Sequence, residues 1–425
     1  MQEDFLYYLW QHKLLYADRI RLTNGESIRI LHPGFRNNES GPDFANARLE
    51  LNGLQWAGNV EIHVRSSDWK RHGHDSDVAY DNILLHVVHE HDTEVYRRDG
   101  SPIPTLEMKN RYPLRYLEHY EQLMQAPSTF VACASQLHDV PEIQRSTWTE
   151  RLMIERLEQR TSGLRTILQE SKGHWTQVLY RMLGRGFGFK VNAVPFEWLT
   201  QVVPYTLLQR HRERSEESEA LLYGQAGLLP QHGGDPYTRR LAQQYSFQKS
   251  TYRLHALPEH LWKFGGLRPY NFPTLRISQF ASLFRHNANL QEHIVHAIAV
   301  EDVCAALEIQ ASDYWFHHYR FGVACAPVRK SLGQAGIRHL LLNAVIPYLF
   351  FFGKQQHLPV LCDKALYWMQ SIPPESNSIL QAWHQHGWKA RYAGEAQALL
   401  QLKKHYCDLK KCVTCHIGKH LLKQA

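Results

Sequence analysis

PDFANARLELNGLQWAGNVEIHV, residues 42–64, is the stretch on which the fold of this chain turns. At its centre Asn52-Gly53 is a strong two-residue hairpin signal, because both residue types tolerate the positive φ that a tight type I′ turn demands. The flanks read as strands, Ala47 to Leu51 going out and Leu54 to Val64 coming back. Along the returning strand Val60, Ile62 and Val64 share one face, while Asn59, Glu61, His63 and Arg65 share the other. The apolar set suits a core and leaves a polar row for a cleft.

Outward from the hairpin, Phe5, Leu6, Leu9 and Trp10 recur at helical spacing within residues 3–15 and predict an amphipathic helix. Ser27 to Leu31 reads as a strand and Gly34 to Asp43, rich in Asn, Gly and Ser, as a loop. Residues 66–82 are polar and rich in His and Asp, a loop with a short helix. Ile83 to Val88 is a buried strand, and Glu94 to Met108 adds a hairpin. The order is helix, three strands, a crossover, then a strand. From about residue 140 the texture turns helical, over 142–170, 198–228, 279–307 and 332–352. The predicted class is α+β, in three segments: an α/β domain over 1–125, a helical region over 126–400, and a cysteine-rich basic tail over 401–425. The first boundary falls between Pro113 and Pro141.

At 425 residues and 44% hydrophobic, the chain is long enough for several cores. Its net charge of +7 is local: the last 25 residues carry six Lys against one Asp. The N-terminus lacks the basic start and apolar run of a signal peptide. The apolar stretch from Leu340 to Phe352 is interrupted by Asn343 and Pro347 and is too short to span a bilayer. A cytoplasmic protein with no membrane partner is expected. The sequence does not specify an oligomeric state. Cys133, Cys304, Cys325 and Cys362 are scattered singly and read as small core residues.

Asp43 and Glu61 are the candidate acid pair. Carboxylates at the ends of adjacent strands give Mg²⁺ or Mn²⁺ its hard oxygen ligands and leave room for substrate phosphate. His63, two residues beyond Glu61 on the same face, can orient water or stabilise developing charge. A regular hairpin, however, sets Asp43 opposite Ile62 and points it away from Glu61. Two arrangements restore the pair: a bulge at Gly58 that shifts the register by one, or Asp43 lying before the ladder begins.

Pro42-Asp43, a hairpin, then Glu61-x-His63 resembles the PD-(D/E)XK phosphodiesterase superfamily, to which nucleases of restriction and repair belong. The resemblance covers about residues 1–110 and implies a restriction-endonuclease-like αβββαβ domain. It implies Mg²⁺ on Asp43 and Glu61, the Ile62 carbonyl as a further ligand, and His63 where that superfamily carries lysine. Gly41-Pro-Asp-Phe44, Asp68-Trp69 and the Cys-rich end also resemble a full-length family of uncharacterised bacterial proteins, mainly from Bacteroidetes.

Asp68, His72, His74, Asp75 and Asp77 lie within ten residues. They read either as a polar loop or, for His72, His74 and Asp77, as lining of the Glu61 cleft. His86 reads as a structural histidine. Cys407-x4-Cys412-x2-Cys415 has the spacing of a zinc or iron–sulfur site, its fourth ligand from His405, His416, His420 or elsewhere. Cys412-Val-Thr-Cys415-His416 also fits the c-type haem attachment motif, which the missing export signal argues against. Trp262 to Arg276 interleaves aromatics with cations, Arg268 and Arg276 among them, and suits either nucleic-acid contact or a rigid turn packed in the core. Gly184-Arg-Gly-Phe-Gly188 reads as a tight turn between helices and not as a nucleotide loop. Three functions are open: a metal-dependent nuclease acting on DNA or RNA, a nuclease-like binder of nucleic acid without catalysis, and a structural or interaction protein.

Overall fold

The computed structural model describes residues 2–37, 40–125, 130–230 and 233–423. Asn38 and Glu39 of the expected loop, and 126–129 of the expected boundary, lie outside the described residues. The chain is a mixed α/β protein with a curled sheet near its N-terminus and helices after it. It divides into two compact units. One holds residues 1–148, 377–389 and 399–425; the other holds 149–376 and 390–398.

In the first unit α1 (Glu3–Gln11) leads to β1 (Ile28–His32), β2 (Phe35–Arg36), β3 (Phe44–Leu51) and β4 (Leu54–Arg65). There follow α2 (Asp68–Arg71), β5 (Ile83–Glu90), β6 (Thr105–Glu107) and α3 (Leu114–Gln125). The sheet order is β1-β3-β4-β5-β6, with β2 also on β3. The first three strands of that order are antiparallel, and β4, β5 and β6 run parallel. The turn forms as the sequence predicts, with Leu51 opposite Leu54 and positive φ at both Asn52 and Gly53. The expected hairpin at 94–108 differs. Only Tyr96 and Pro102 bridge, and the chain then enters β6 parallel to β5. Pro102 and Pro104 have no N–H to offer an antiparallel ladder there.

One face of the sheet is an apolar core. Phe5, Leu6, Leu9 and Trp10 of α1 cluster with Val60, Ile62, Leu85 and Val87, and the Trp10 indole donates to the Pro33 carbonyl at 2.9 Å. The other face of β4 is buried too, where an open cleft was expected. Glu61 is 5% and His63 2% exposed. A second cluster of Trp69, Tyr80, Ile83, Val95 and Ile103 from the crossover and beyond lies beside them. Val413 and Leu422 join the main core, so the cysteine-rich segment is an integral part of this unit.

The second unit is helical, and its runs are shorter than periodicity suggests. Residues 198–228 resolve into parts of Ala193–Val202, Tyr205–Arg210 and Ser215–Gln225, the first break falling at Pro204, which cannot donate within a helix. The apolar stretch does the reverse. Gln334–Gln355 is one 22-residue helix, long and apolar enough to cross a membrane, and 72% of its apolar 18-residue window is buried. Asn343 and Pro347 do not end it, because a π-turn over Leu341–Val345 accommodates the proline. Gly184 and Gly186 lie inside helix Trp175–Phe187 instead of a turn. A Cβ there would sit 2.3 Å from Thr200 and 2.8 Å from Leu340.

Gly58 shows the same constraint in the sheet, since a Cβ would meet the Leu84 Cβ at 2.8 Å where β4 passes β5. Gly58→Ala is expected to destabilise the first unit by about 1–3 kcal/mol. Urea unfolding followed by tryptophan fluorescence checks this; an unchanged midpoint would count against the packing described.

Candidate metal and cysteine sites

A bulge brings the two acids together. The β3–β4 ladder runs regularly from Leu51–Leu54 to Ala47–Gly58, then shifts so that Phe44 pairs with Val60. The extra residue lies on β3, near Asn46, and not at Gly58. Asn46 takes φ 57°, a conformation asparagine tolerates better than most residues, and its N–H donates to Asn59 Oδ1 at 3.3 Å. Asp43 also precedes the ladder. It therefore meets Glu61, and the two strands exchange side-chain bonds. The Asp43 N–H donates to Glu61 Oε2 at 3.0 Å, and the Ile62 N–H donates to Asp43 Oδ2 at 3.0 Å.

Imidazoles surround this pair. Glu61 Oε1 lies 3.3 Å from His74 Nε2 and 3.7 Å from His63 Nε2. His63 Nδ1 is 2.8 Å from His86 Nε2, and His63 Nε2 is 3.2 Å from His72 Nδ1. One ligand nitrogen each from His63, His72 and His74 lies within 4.8 Å of the others, His63 buried and His72 exposed. His74 stacks on Tyr80 with ring centroids 3.8 Å apart. Asp77 stays outside, capping the turn Val78–Tyr80 through the Ala79 N–H. Asp68 is buried, accepting the Arg65 N–H at 3.1 Å and pairing with Arg71 at 2.9 Å.

Three residues of the site were not singled out in the sequence. Glu3 and Tyr7 stand one turn apart on α1. The Tyr7 hydroxyl donates to Glu3 Oε2 at 3.4 Å and also reaches Asp43. Arg36 sits over the Tyr7 ring at 3.9 Å. The only signal was a polar i, i+4 pair beside the helix's apolar stripe.

Burial, and next the Glu61 charge, push the Asp43 carboxyl up to about 7. Burial also raises Glu3. Burial, reinforced by the neighbouring imidazoles, takes His63 down to about 2 and His86 to about 3. His63 is thus a neutral donor at physiological pH, unlike the lysine whose place the resemblance gives it. Converging carboxylates and imidazoles make a set suited to a divalent cation. Mg²⁺ favours oxygen alone, whereas imidazole nitrogen suits transition ions such as Zn²⁺ or Fe²⁺.

The basic–aromatic stretch divides. Arg268 is exposed. Arg276 is buried, donating to Gln279 at 2.8 Å and Asn271 at 2.7 Å over the Phe189 ring, so its charge is used internally. Trp262 donates to the Ala226 carbonyl in the core.

Cys407, Cys412 and Cys415 line one small pocket together with Cys133, which is joined by Leu123, Ala132 and Gly418. Cys133 is therefore not an isolated core residue. Burial raises all four thiols, Cys133 to about 12 and Cys415 to about 11. Of the histidines considered as fourth ligand, His416 instead bonds Gln144 and stacks on Trp148.

The Asp43 shift has a sign that can be tested. Its folded pKa lies above its ordinary value, so the folded state holds the proton more tightly than the unfolded chain does. This group's contribution is most favourable below about pH 4 and is lost as pH rises through about 7. In chelator, wild-type stability should fall by roughly 2–4 kcal/mol from this group between those limits, and Asp43→Asn should remove that slope. Denaturant unfolding across the range decides it; identical slopes would refute the assignment.

No curated protein and no solved structure matches the chain. Residues 3–378, which contain the Asp43–Glu61 site and Cys133 but not the three C-terminal cysteines, match the family described as Protein of unknown function (DUF2851), and the chain belongs to that family.

Proposed function

We propose that the chain is a metal-dependent phosphodiesterase acting on nucleic acid, with a restriction-endonuclease-like N-terminal domain. The observation that carries this reading is the reciprocal Asp43–Glu61 pairing. A bulge that turns the half-buried Asp43 toward a buried Glu61 is hard to explain by packing alone. The succession of one helix, an antiparallel sheet, a short crossover and a parallel strand supports the same reading.

Asp43 and Glu61 would hold the ion, with His74 and His63 completing the donor set. His63 is held for this by His86, since an imidazole whose Nδ1–H donates to a second group presents its Nε2 lone pair in a fixed direction. The ion would polarise a phosphoryl oxygen and supply a nucleophile near neutral pH. His72, the exposed member of the cluster, stands at the mouth, and Lys70 and Arg71 beside it are exposed to solvent, where phosphate would arrive. Arg36 adds positive charge beside Asp43.

A non-catalytic nucleic-acid binder is the second reading. It is favoured by His63, whose depressed pKa removes the cation that lysine would supply. Incubation of the full chain with labelled single- and double-stranded DNA and RNA in Mg²⁺, Mn²⁺ or Zn²⁺ separates the two. Cleavage is expected, and Asp43→Ala and Glu61→Gln should each lower it about 100-fold or more. Salt-dependent binding with no cleavage in any metal selects the second reading. Cleavage unaffected by both substitutions sinks the site.

A further inference from the structure

We propose that Cys133, Cys407, Cys412 and Cys415 together bind an iron–sulfur cluster that ties the C-terminal segment into the N-terminal unit. The inference goes beyond the phosphodiesterase reading and does not depend on it.

Four observations carry it. First, the four side chains come from places as far apart as residues 133 and 415 and line one pocket, whose remaining walls include Leu123 and Ala132. Four thiols converging in this way make the full ligand count of a four-thiolate site, which the C-terminal triplet alone lacks. Second, none of the four is in a disulfide. Third, the triplet's intervals of four and two residues, with one further cysteine far away in sequence, are those by which one class of iron–sulfur protein holds a two-iron cluster. Fourth, the amides of Gly418 and Ile417, in the first turn of helix His416–Lys423, lie near enough to the Cys415 sulfur to favour its thiolate. Such contacts tune a cluster's potential.

The spacing Cys407-x4-Cys412-x2-Cys415 agrees with a cluster-binding loop, and Cys133 is the distant ligand that completes it. Binding releases the thiol protons to solvent as iron–sulfur bonds form, with iron and sulfide supplied by cellular assembly. The segment is anchored nearby without it: Val413 and Leu422 lie in the core, and Lys410 Nζ donates to the Met124 carbonyl at 3.0 Å. The cluster would add a covalent tie where the peptide ends of the unit meet.

The test is the metal content of full-length protein expressed in iron-replete cells and purified under strict anaerobiosis. Iron and acid-labile sulfide in equal amounts are expected, with a visible absorption band that bleaches on dithionite and an electron paramagnetic resonance signal that identifies the cluster type. Cys133→Ser and Cys412→Ser should reduce acid-labile sulfide to background, whereas Cys304→Ser and Asp43→Ala should retain it. Wild-type protein without acid-labile sulfide, whatever zinc or iron it carries, overturns the proposal, and this arm needs no variant to fold. A folded Cys133→Ser protein, by circular dichroism, that keeps wild-type iron and sulfide overturns the assignment of the fourth ligand. Retention of sulfide in Asp43→Ala keeps this result separate from the fate of the carboxylate site.

Discussion

The one-residue bulge near Asn46 is the constraint on which the N-terminal site depends. Side chains alternate across a strand, so register decides which face each residue takes. With the regular ladder set by Leu51 and Leu54, Asp43 would lie behind the sheet from Glu61. The extra residue turns Asp43 to the Glu61 side and delivers the Asp43 N–H to Glu61 Oε2 and the Asp43 carboxylate to the Ile62 N–H. The apolar face is undisturbed, because Phe44, Val60 and Ile62 remain in the core. A local irregularity thus reconciles two demands that an ideal hairpin cannot meet together.

Once the acids are paired, burial sets the rest of the electrostatics. Glu61 and His63 are nearly inaccessible, and burial favours the neutral forms of His63 and His86 and makes Asp43 resist ionisation. His63 is held between His86 and His72, and the stacking of His74 on Tyr80 fixes another ring. The crossover residues 66–82 therefore do more than connect β4 to β5. Asp68 orders the turn by accepting the Arg65 N–H, which places His72 and His74 over the strand that carries Glu61.

Much of this was legible in the sequence, and what escaped has a common cause. The hairpin was readable because Asn52-Gly53 is a local signal, and the faces of β4 followed from its alternation. Whether the polar face was open or covered depends on Trp69 and Tyr80 folding back over it, a tertiary event without local signature. The bulge was anticipated as a need, yet placed at Gly58, where the glycine instead lets Leu84 approach. Glu3 and Tyr7 were hidden in a helix whose apolar stripe dominated its reading. Cys133 was separated by more than 270 residues from the cysteines it joins, beyond the reach of any spacing rule. In the helical unit, periodicity located the helices but not their ends, since it carries no information on where Pro204 interrupts or where a π-turn tolerates Pro347.

The order of the chain gives the cysteine cluster its physical meaning. The first unit is assembled from residues near both ends of the sequence, with all of 149–376 intervening. Closing so long a loop costs chain entropy that grows only slowly with length, as the logarithm of the number of residues. A few apolar contacts such as those of Val413 and Leu422 offset much of that cost, and once they form the cysteines are neighbours. Four thiols lining one pocket contribute little as thiols, because burial keeps them protonated. Their convergence from opposite ends of the sequence gains a purpose only if something binds them all. Core packing brings the segment home, and the thiolates then have a partner that couples folding of the last residues to metal content.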